Sequence, residues 1–576
     1  DDIYVDIGWA AGPTDSPERQ INAGWINQRL EAAIGAYASY EKLVEEQTGA
    51  SGQEGGAAGS EQTGESALAA PIETTVVVAS VGQSWDEPSL QFAAVIDPSA
   101  SDPTVGLLNS DATKSAGLMT IRELREFQPG QALDVTEMSL EKALTQLQDD
   151  TLHSRAAKNA LTPFFVAWGI FLTIGALAAL MHFVRRPGPN DGPAMIWRNI
   201  TVWNTVAFAW IPAAMILNFI PWWRFSESAF VPIALTLVLA IVLTYFVRTT
   251  PQPVAVLAAI TLLLLAVDVV SGATMQRDGF FGSMTLTSRR FYGISNRSYI
   301  ILLVSGLLAV LPWLENKLSK AETDYKADKA STQGAKSTSS SKAELSKVAM
   351  QGAKVGAKTA TGKASSPQAD AAAGIAAMGV GVLAIDALPM WGADFGGPPG
   401  IIAAFLVAYV LVSGKRLRWK HLGIWVLLTV LSMGFAGYLD VKSGSPSHIG
   451  RFWATIGSPE SWQLLATKAR DLGGSFAGNI YVLIAVIVAI VLIVVGTIVV
   501  RRGLKRSEKH REALQEAASV PGLPAIALAI LLGIVIAVPI NDSGTLMVVD
   551  GLAIAVPPLI AILARQLWLS RTRYTE

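Results

Sequence analysis

The chain has 576 residues, of which 51% are hydrophobic and only 16% are charged, and its formal net charge is −1. This balance excludes nucleic-acid binding through overall charge, and the absence of cysteine excludes disulfides, thiolate catalysis and thiolate metal sites. With five histidines, no His-rich metal site is expected, and the sequence assigns no metal ligands and identifies no cofactor. Since the chain begins at Asp1 rather than at a methionine, we expect a signal peptide or a first anchor upstream of it.

Residues 1–161 are predicted to form an N-terminal extracytoplasmic α/β domain. Its elements, in chain order, are a helix at 17–46, a flexible polar insertion at 47–70, strands at 74–81 and 90–98, and a helix at 137–160. The order helix, strands, helix is consistent with an α/β fold. The first strand, TTVVVASV, is a continuous apolar run, which suits a buried position in a sheet.

The passage VGLLNSDATKSAGLMTIREL at 105–124, which follows the TTVVVAS strand, resembles the closing part of an alkaline-phosphatase or sulfatase-like domain. Actinobacterial multispanning membrane proteins carry such ectodomains, and the resemblance covers residues 70–150. The superfamily uses a Ser, Thr or Cys nucleophile with clustered Asp and His ligands, because a bound divalent ion must neutralise the transferred group. In 1–161 the only histidine is His153, and Lys114 stands where the family would carry arginine. The resemblance therefore implies a degenerate ectodomain without the metal ligands.

Eleven apolar segments approach the length of about 20 residues that a helix needs to cross a bilayer. In chain order they are 162–184, 200–220, 230–247, 254–270, 298–314, 372–390, 399–414, 421–439, 478–500, 521–540 and 548–568. The sequence thus predicts a mainly α, polytopic membrane helical bundle with the α/β domain at its N-terminus. Pro389 falls inside the sixth span and Pro539 inside the tenth, where each proline frees a backbone carbonyl.

The basic clusters follow odd-numbered spans, as at 185–198, 415–420 and 501–511. Because cytoplasmic loops carry the excess of Lys and Arg, this alternation predicts that 1–161 lies outside the bacterial plasma membrane and that the C-terminus is cytoplasmic. The predicted regions are the ectodomain 1–161, a five-span bundle 162–314, a disordered Lys/Ala/Ser-rich cytoplasmic linker 315–371 and a six-span bundle 372–576. The linker has too few large apolar residues to offset the entropy of ordering it.

The predicted outward loops combine acids, arginines, aromatic residues and glycines, and the most elaborate is DALPMWGADFGGPPG at 386–400. Paired arginines suit a phosphate or a carboxylate, and Asp or His near the membrane can bind a divalent ion or act as a general base. Acids within spans, such as Asp268 and Asp386, should face the bundle or a water-filled cavity. The candidate substrate-binding residues are Asp268, Asp278, Arg289, Arg290, Asn296, Asp386, Asp394, Asp440, His448, Arg451, Asn541 and Asp542.

Three functions are consistent with these patterns. The first is an envelope-biogenesis protein whose outward-facing polar site handles a lipid-linked or surface glycan or a phospholipid. The second is a transporter or flippase, indicated by Asp268, by helices broken at Pro and Gly, and by the similarity of spans six and seven to spans ten and eleven. The third is a noncatalytic envelope scaffold whose ectodomain binds protein partners.

Enzymatic activity and catalytic residues stay open at this stage, because the loops contain no Walker, HExxH or GxSxG motif. The expected partners are membrane lipids and an anionic lipid or glycan substrate. Envelope proteins are further candidate partners, and no nucleic acid is expected.

Overall fold

The structure is a computed structural model, and it is mainly helical. It describes residues 76–79, 93–96, 104–110, 113, 115–118, 134–185, 194–226, 228–286, 293–319, 366–394, 396–442, 498, 508–517, 519–541, 544 and 546–573. Contacts divide the chain into two compact units, Asp1–Asn159 with Met284–Tyr292, and Ala160–Ser283 with Gly293–Glu576.

The first unit contains a small antiparallel sheet with the strand order β1-β2-β3-β4. The strands are β1 (Val76–Ala79), β2 (Ala93–Ile96), β3 (Thr104–Leu108) and β4 (Val135–Ser139). β1 and β2 lie inside the two predicted strands. The predicted helix at 17–46 and the polar insertion at 47–70 lie outside the described residues, so the complete α/β domain stays a prediction.

The predicted helix at 137–160 is wrong at its start, because residues up to Ser139 belong to β4. β4 pairs with β3, and Met138 is the partner of Val105 in that ladder. Pairing with a strand about thirty residues earlier in the chain thus overrides the local helical pattern. The helix begins at Leu140, and its Ala143 packs with the fully buried Leu107 of β3.

The helices are α1 (Leu140–Arg185), α2 (Ala194–Leu217), α3 (Phe230–Val247), α4 (Pro253–Val270), α5 (Asn296–Ala309), α6 (Pro367–Ala387), α7 (Gly397–Val412), α8 (Trp419–Lys442), α9 (Glu508–Ala517), α10 (Leu523–Ile540) and α11 (Leu546–Arg573). After a turn at Val310, helical backbone continues from α5 to Ser319. Within the described part of the chain, nine helices are long and apolar enough to cross a membrane, and α7 is a shorter apolar helix. The predicted span at 478–500 lies outside the described residues except for position 498, so the count of eleven stays a prediction.

The prolines give a mixed outcome. Pro539 lies inside α10 as predicted. The prediction for Pro389 is wrong, because α6 ends at Ala387 and the backbone of Leu388 is extended. The residue before a proline is pushed away from the helical region by a clash with the proline ring, which explains a helix end at this point.

Helix burial in the second unit separates a central group from a peripheral one. Thirteen of the sixteen residues of α7 are buried, whereas in α8 the buried residues are Ala436, Gly437 and Asp440. α7 packs mainly against α6 and α10, and α2 packs mainly against α11 and α3. Helices from before and after the segment 320–365 therefore form one packed unit.

Candidate functional site

Seven of the twelve candidate residues are described by the structure: Asp268, Asp278, Asn296, Asp386, Asp394, Asp440 and Asn541. The other five, Arg289, Arg290, His448, Arg451 and Asp542, lie outside the described residues. The structure brings three of the seven together, and these three come from the ends of α6 and α10 and from the loop between α6 and α7.

The loop 388–394 folds back against the end of α6. The carbonyl of Leu388 accepts hydrogen bonds from the amides of Trp391 (2.9 Å) and Ala393 (3.1 Å), and the carbonyl of Asp386 accepts one from the amide of Asp394 (2.9 Å). Ala393 has a φ of 48°, in the left-handed region that non-glycine residues seldom adopt. These bonds bring Asp386 and Asp394 to the same end of α6, although eight positions separate them.

The loop also contacts the segment that precedes α5. The amide of Ile294 donates to the carbonyl of Gly392 at 2.8 Å. Gly293 has a φ of 79°, and a Cβ at this position would collide with that same carbonyl. Glycine at 293 therefore permits both the turn and the close approach of the two loops.

Three glycines at the start of α7 form a surface against which polar side chains pack. A Cβ at Gly396 would lie 2.7 Å from Oδ1 of Asn541. A Cβ at Gly397 would collide with the Asp386 carboxylate, and one at Gly400 would collide with the Tyr299 hydroxyl. Because residues three apart are neighbours on one face of a helix, Asp386 and Tyr299 lie within about one turn of each other.

We call the side chains of Tyr299, Asp386, Asp394 and Asn541 the Asp386 cluster. Tyr299 and Asp386 are fully buried, Asp394 is 3% exposed and Asn541 is 7% exposed. The Asp386 carboxylate and the Tyr299 hydroxyl pack on Gly397 and Gly400 of α7. Four segments of the chain thus contribute to one buried polar cluster.

Hydrogen bonding in the cluster is uneven. The Asp394 carboxylate accepts the amide of Gly396 at 3.1 Å, which fixes the entry into α7. The Tyr299 hydroxyl and the Asn541 amide nitrogen have no hydrogen-bond partner among the described residues. Buried polar groups are nearly always hydrogen-bonded in proteins, so these two groups give the cluster unused hydrogen-bonding capacity.

Asp268 and Asp278 belong to a separate turn after α4. The Asp268 carboxylate accepts the amide of Met275 at 2.6 Å and the side-chain amide of Gln276 at 3.2 Å. Asp278 is 3% exposed and has a φ of 55°. A cavity beside this turn, lined by Gln276 and Ser298 among others, has room for about one water molecule. Asp268 therefore faces the protein as predicted, and its contacts organise the turn.

The other two described candidates come from α5 and α8. Asn296 is the half-buried first residue of α5. Asp440 is 3% exposed and lies one helical turn after Ala436, in the buried patch near the end of α8.

Sequence reasoning missed two groups of residues. Tyr299 gave no signal, because a tyrosine near the start of an apolar span is commonplace. Asp550 could have been found by the rule that identified Asp268, since it is an acid inside an apolar span. Its carboxylate accepts Nε of Arg297 at 3.2 Å, and the Arg297 guanidinium lies 4.4 Å above the ring of Phe165.

The apolar helices identify the class of protein: an α-helical, multi-pass membrane protein. Comparisons with protein-family models, with curated proteins and with solved structures found no match to this chain. The function must therefore be argued from the site itself.

Proposed function

We propose that the chain is a cation-coupled membrane transporter of the bacterial plasma membrane, and that its coupling ion binds at the Asp386 cluster. The observation that supports this proposal is the burial of two carboxyl groups, a tyrosine hydroxyl and an asparagine amide where α5, α6, α7 and α10 meet. Ionisable residues inside a membrane bundle are costly, and they typically mark the path of an ion or a substrate.

The local backbone also supports a transporter. With sixteen residues, α7 rises roughly 24 Å, which is less than the hydrocarbon core of about 30 Å. The irregular loop before it is therefore drawn into the bundle. Interrupted helices at membrane depth occur where they are buried in protein or line a water-filled cavity, and transporters use such interruptions to bind substrates and coupling ions.

The charge of the cluster favours a cation. Asp386 and Asp394 are the acidic side chains of the cluster. Buried acidic groups repel an anionic headgroup. The alternative of a lipid-linked glycan or phospholipid site depends on Arg289, Arg290, His448 and Arg451, which lie outside the described residues. That alternative stays a prediction, as do the noncatalytic scaffold and the phosphatase-like ectodomain.

The orientation follows from the positive-inside rule. We propose that the end of α6 and the start of α7 face the outside of the cell, together with the N-terminal domain, and that the C-terminus is cytoplasmic.

The proposal can be tested without knowing the cargo. Purified protein is reconstituted into proteoliposomes on a solid-supported membrane, and jumps in the concentration of H⁺, Na⁺ or K⁺ are applied. We expect one of these jumps to produce a transient displacement of charge. Asp386→Asn and Asp394→Asn should reduce this displacement at least tenfold, because each removes a negative charge from the cluster.

Asp370→Asn is the matched control. Asp370 lies near the other end of α6, its side chain is 34% exposed, and it pairs with Lys317 at 3.1 Å. The control makes the same chemical change on the same helix and should retain the displacement. The proposal is overturned if no cation displaces charge in the unchanged protein, or if Asp386→Asn and Asp370→Asn behave alike.

A further inference from the structure

We propose that the ion bound by the Asp386 cluster is a proton, carried by one of the two carboxyl groups beside the Tyr299 hydroxyl. This inference rests on the proposed function and specifies its coupling ion. Three observations support it: the packing around the cluster, the hydrogen bonds that the nearby carbonyls already accept, and the burial of the Tyr299 hydroxyl.

The Tyr299 hydroxyl lies within about one helical turn of α7 from the Asp386 carboxyl group. Ser295 caps α5, and its hydroxyl accepts the amide of Ser298 at 3.1 Å. This cap fixes the first turn of α5, in which the Ser298 hydroxyl bonds the carbonyl of Phe281 at 3.0 Å. The next side chain, Tyr299, instead packs on Gly400 of α7. Its hydroxyl is buried and has no hydrogen-bond partner among the described residues.

A metal ion needs a shell of oxygen ligands, and transporters commonly supply part of that shell from unwound backbone carbonyls. Here the carbonyls of Asp386, Leu388 and Gly392 each accept an amide hydrogen already. The Asp386 carboxylate also packs directly on the Gly397 backbone, which leaves one side of it closed.

A proton needs only one oxygen. On uptake it forms one O–H bond with a carboxylate oxygen and cancels one negative charge; on release that bond breaks and the charge returns. Because two buried carboxylates in one site repel each other, a proton shared within the site relieves the repulsion. No further reactant enters this step.

The helices α4, α5, α7 and α8 pack on α6, and their charged and titratable residues bear on the cluster. α5 contributes Tyr299 and Arg297, α4 contributes Asp268, α7 contributes Tyr409 and α8 contributes Asp440, while Asp394 comes from the loop. Arg297 pairs with Asp550 of α11, and the Asp268 carboxylate accepts two hydrogen bonds from its own turn. Each of these two charges has a contact that does not involve the cluster.

The test separates the proton from other cations in the same proteoliposomes. A pH jump is applied in choline buffer free of Na⁺ and K⁺, and jumps of Na⁺ and of K⁺ are applied at constant pH. We expect charge displacement from the pH jump alone, and at least a tenfold loss of it in Asp386→Asn and in Asp394→Asn.

The outcomes distinguish the two proposals. If a Na⁺ or K⁺ jump displaces charge at constant pH while a pH jump does not, the transporter proposal stands and the proton is excluded. If none of the jumps displaces charge, both proposals fail. Melting temperature and gel-filtration profile in detergent show whether each variant is folded. Asp394→Asn serves as the second variant if Asp386→Asn does not fold.

Tyr299→Phe tests the hydroxyl itself, since the ring and its packing on α7 are largely retained. We expect this variant to displace charge with a shifted pH midpoint. An unchanged midpoint would exclude the hydroxyl from the proton site, because a purely structural tyrosine leaves the titration of the carboxyl groups where it was.

Discussion

Asp550 and Asp370 each form an ion pair with a basic residue in the helical stretch Asn296–Ser319, and the two pairs differ in burial. The Arg297–Asp550 pair has an N–O distance of 3.2 Å with side-chain exposures of 25% and 11%. The Lys317–Asp370 pair has a distance of 3.1 Å with exposures of 30% and 34%. Water screens exposed charges. The two ion pairs should therefore differ in strength although their distances are similar.

We predict a larger coupling energy for the more buried pair. A double-mutant cycle with Arg297→Gln and Asp550→Asn should give a coupling of about 1–3 kcal/mol, as found for contacting residues in one network. The parallel cycle with Lys317→Gln and Asp370→Asn should stay below about 1 kcal/mol. Unfolding in mixed micelles of detergent and SDS measures both cycles. Equal couplings would mean that burial does not set the strength of these pairs.

At the residue scale, sequence reasoning identified types of residue better than it identified partners. Asp386, Asp394 and Asn541 were selected because they were polar residues beside broken spans, and the structure places all three in one cluster. Their grouping with Tyr299 joins segments that are 87 or more positions apart in the sequence. No single sequence contains that distance information, so Tyr299 could not be assigned.

At the element scale, the glycines of α7 explain why the stretch 386–400 is more elaborate than a plain turn. Gly396, Gly397 and Gly400 leave the space that Asn541, Asp386 and Tyr299 occupy. From the sequence, these glycines were only one component of an elaborate outward loop. The structure instead shows glycines that admit polar side chains of the protein itself, and this difference requires knowledge of which helices are neighbours.

We predict that Gly397→Ala and Gly381→Ala have opposite outcomes. A Cβ at Gly397 would collide with the Asp386 carboxylate, whereas a Cβ at Gly381 of α6 meets nothing within 4 Å. Overpacking a well-packed site typically costs about 1–3 kcal/mol, so Gly397→Ala should lower the melting temperature in detergent. Gly381→Ala should leave it unchanged or raise it, because alanine favours a helix over glycine.

The same pair of variants has a functional readout. Because Gly397→Ala must push the Asp386 carboxylate out of position, it should also alter the charge displacement in proteoliposomes, and Gly381→Ala should not. A Gly397→Ala variant with the melting temperature and the charge displacement of the unchanged protein would contradict the packing described for α7.

At the scale of the whole molecule, apolar length alone predicted the helical spans well. Ten of the eleven predicted segments overlap a described helix, because a run of apolar residues long enough to cross a bilayer has few other uses. Which helices pack against each other could not be predicted from the sequence. α2 packs on α11 and α5 packs on α11, across the segment 320–365, and nothing in the periodicity of either helix specifies its partner.

The membrane orientation gives the last prediction, and the chain is well suited to testing it because it contains no cysteine. Single cysteines can therefore be introduced at exposed positions and labelled with a membrane-impermeant maleimide in intact cells. Arg224, between α2 and α3, should be labelled from outside as Arg224→Cys. Arg248 and Lys415, which follow α3 and α7, should be labelled as cysteines only after the cells are permeabilised. The reverse labelling pattern would contradict this orientation and would place the Asp386 cluster on the cytoplasmic side. The cluster would then bind its ion from the cytoplasm. A lower pH on the cytoplasmic side, rather than on the outer side, would protonate it.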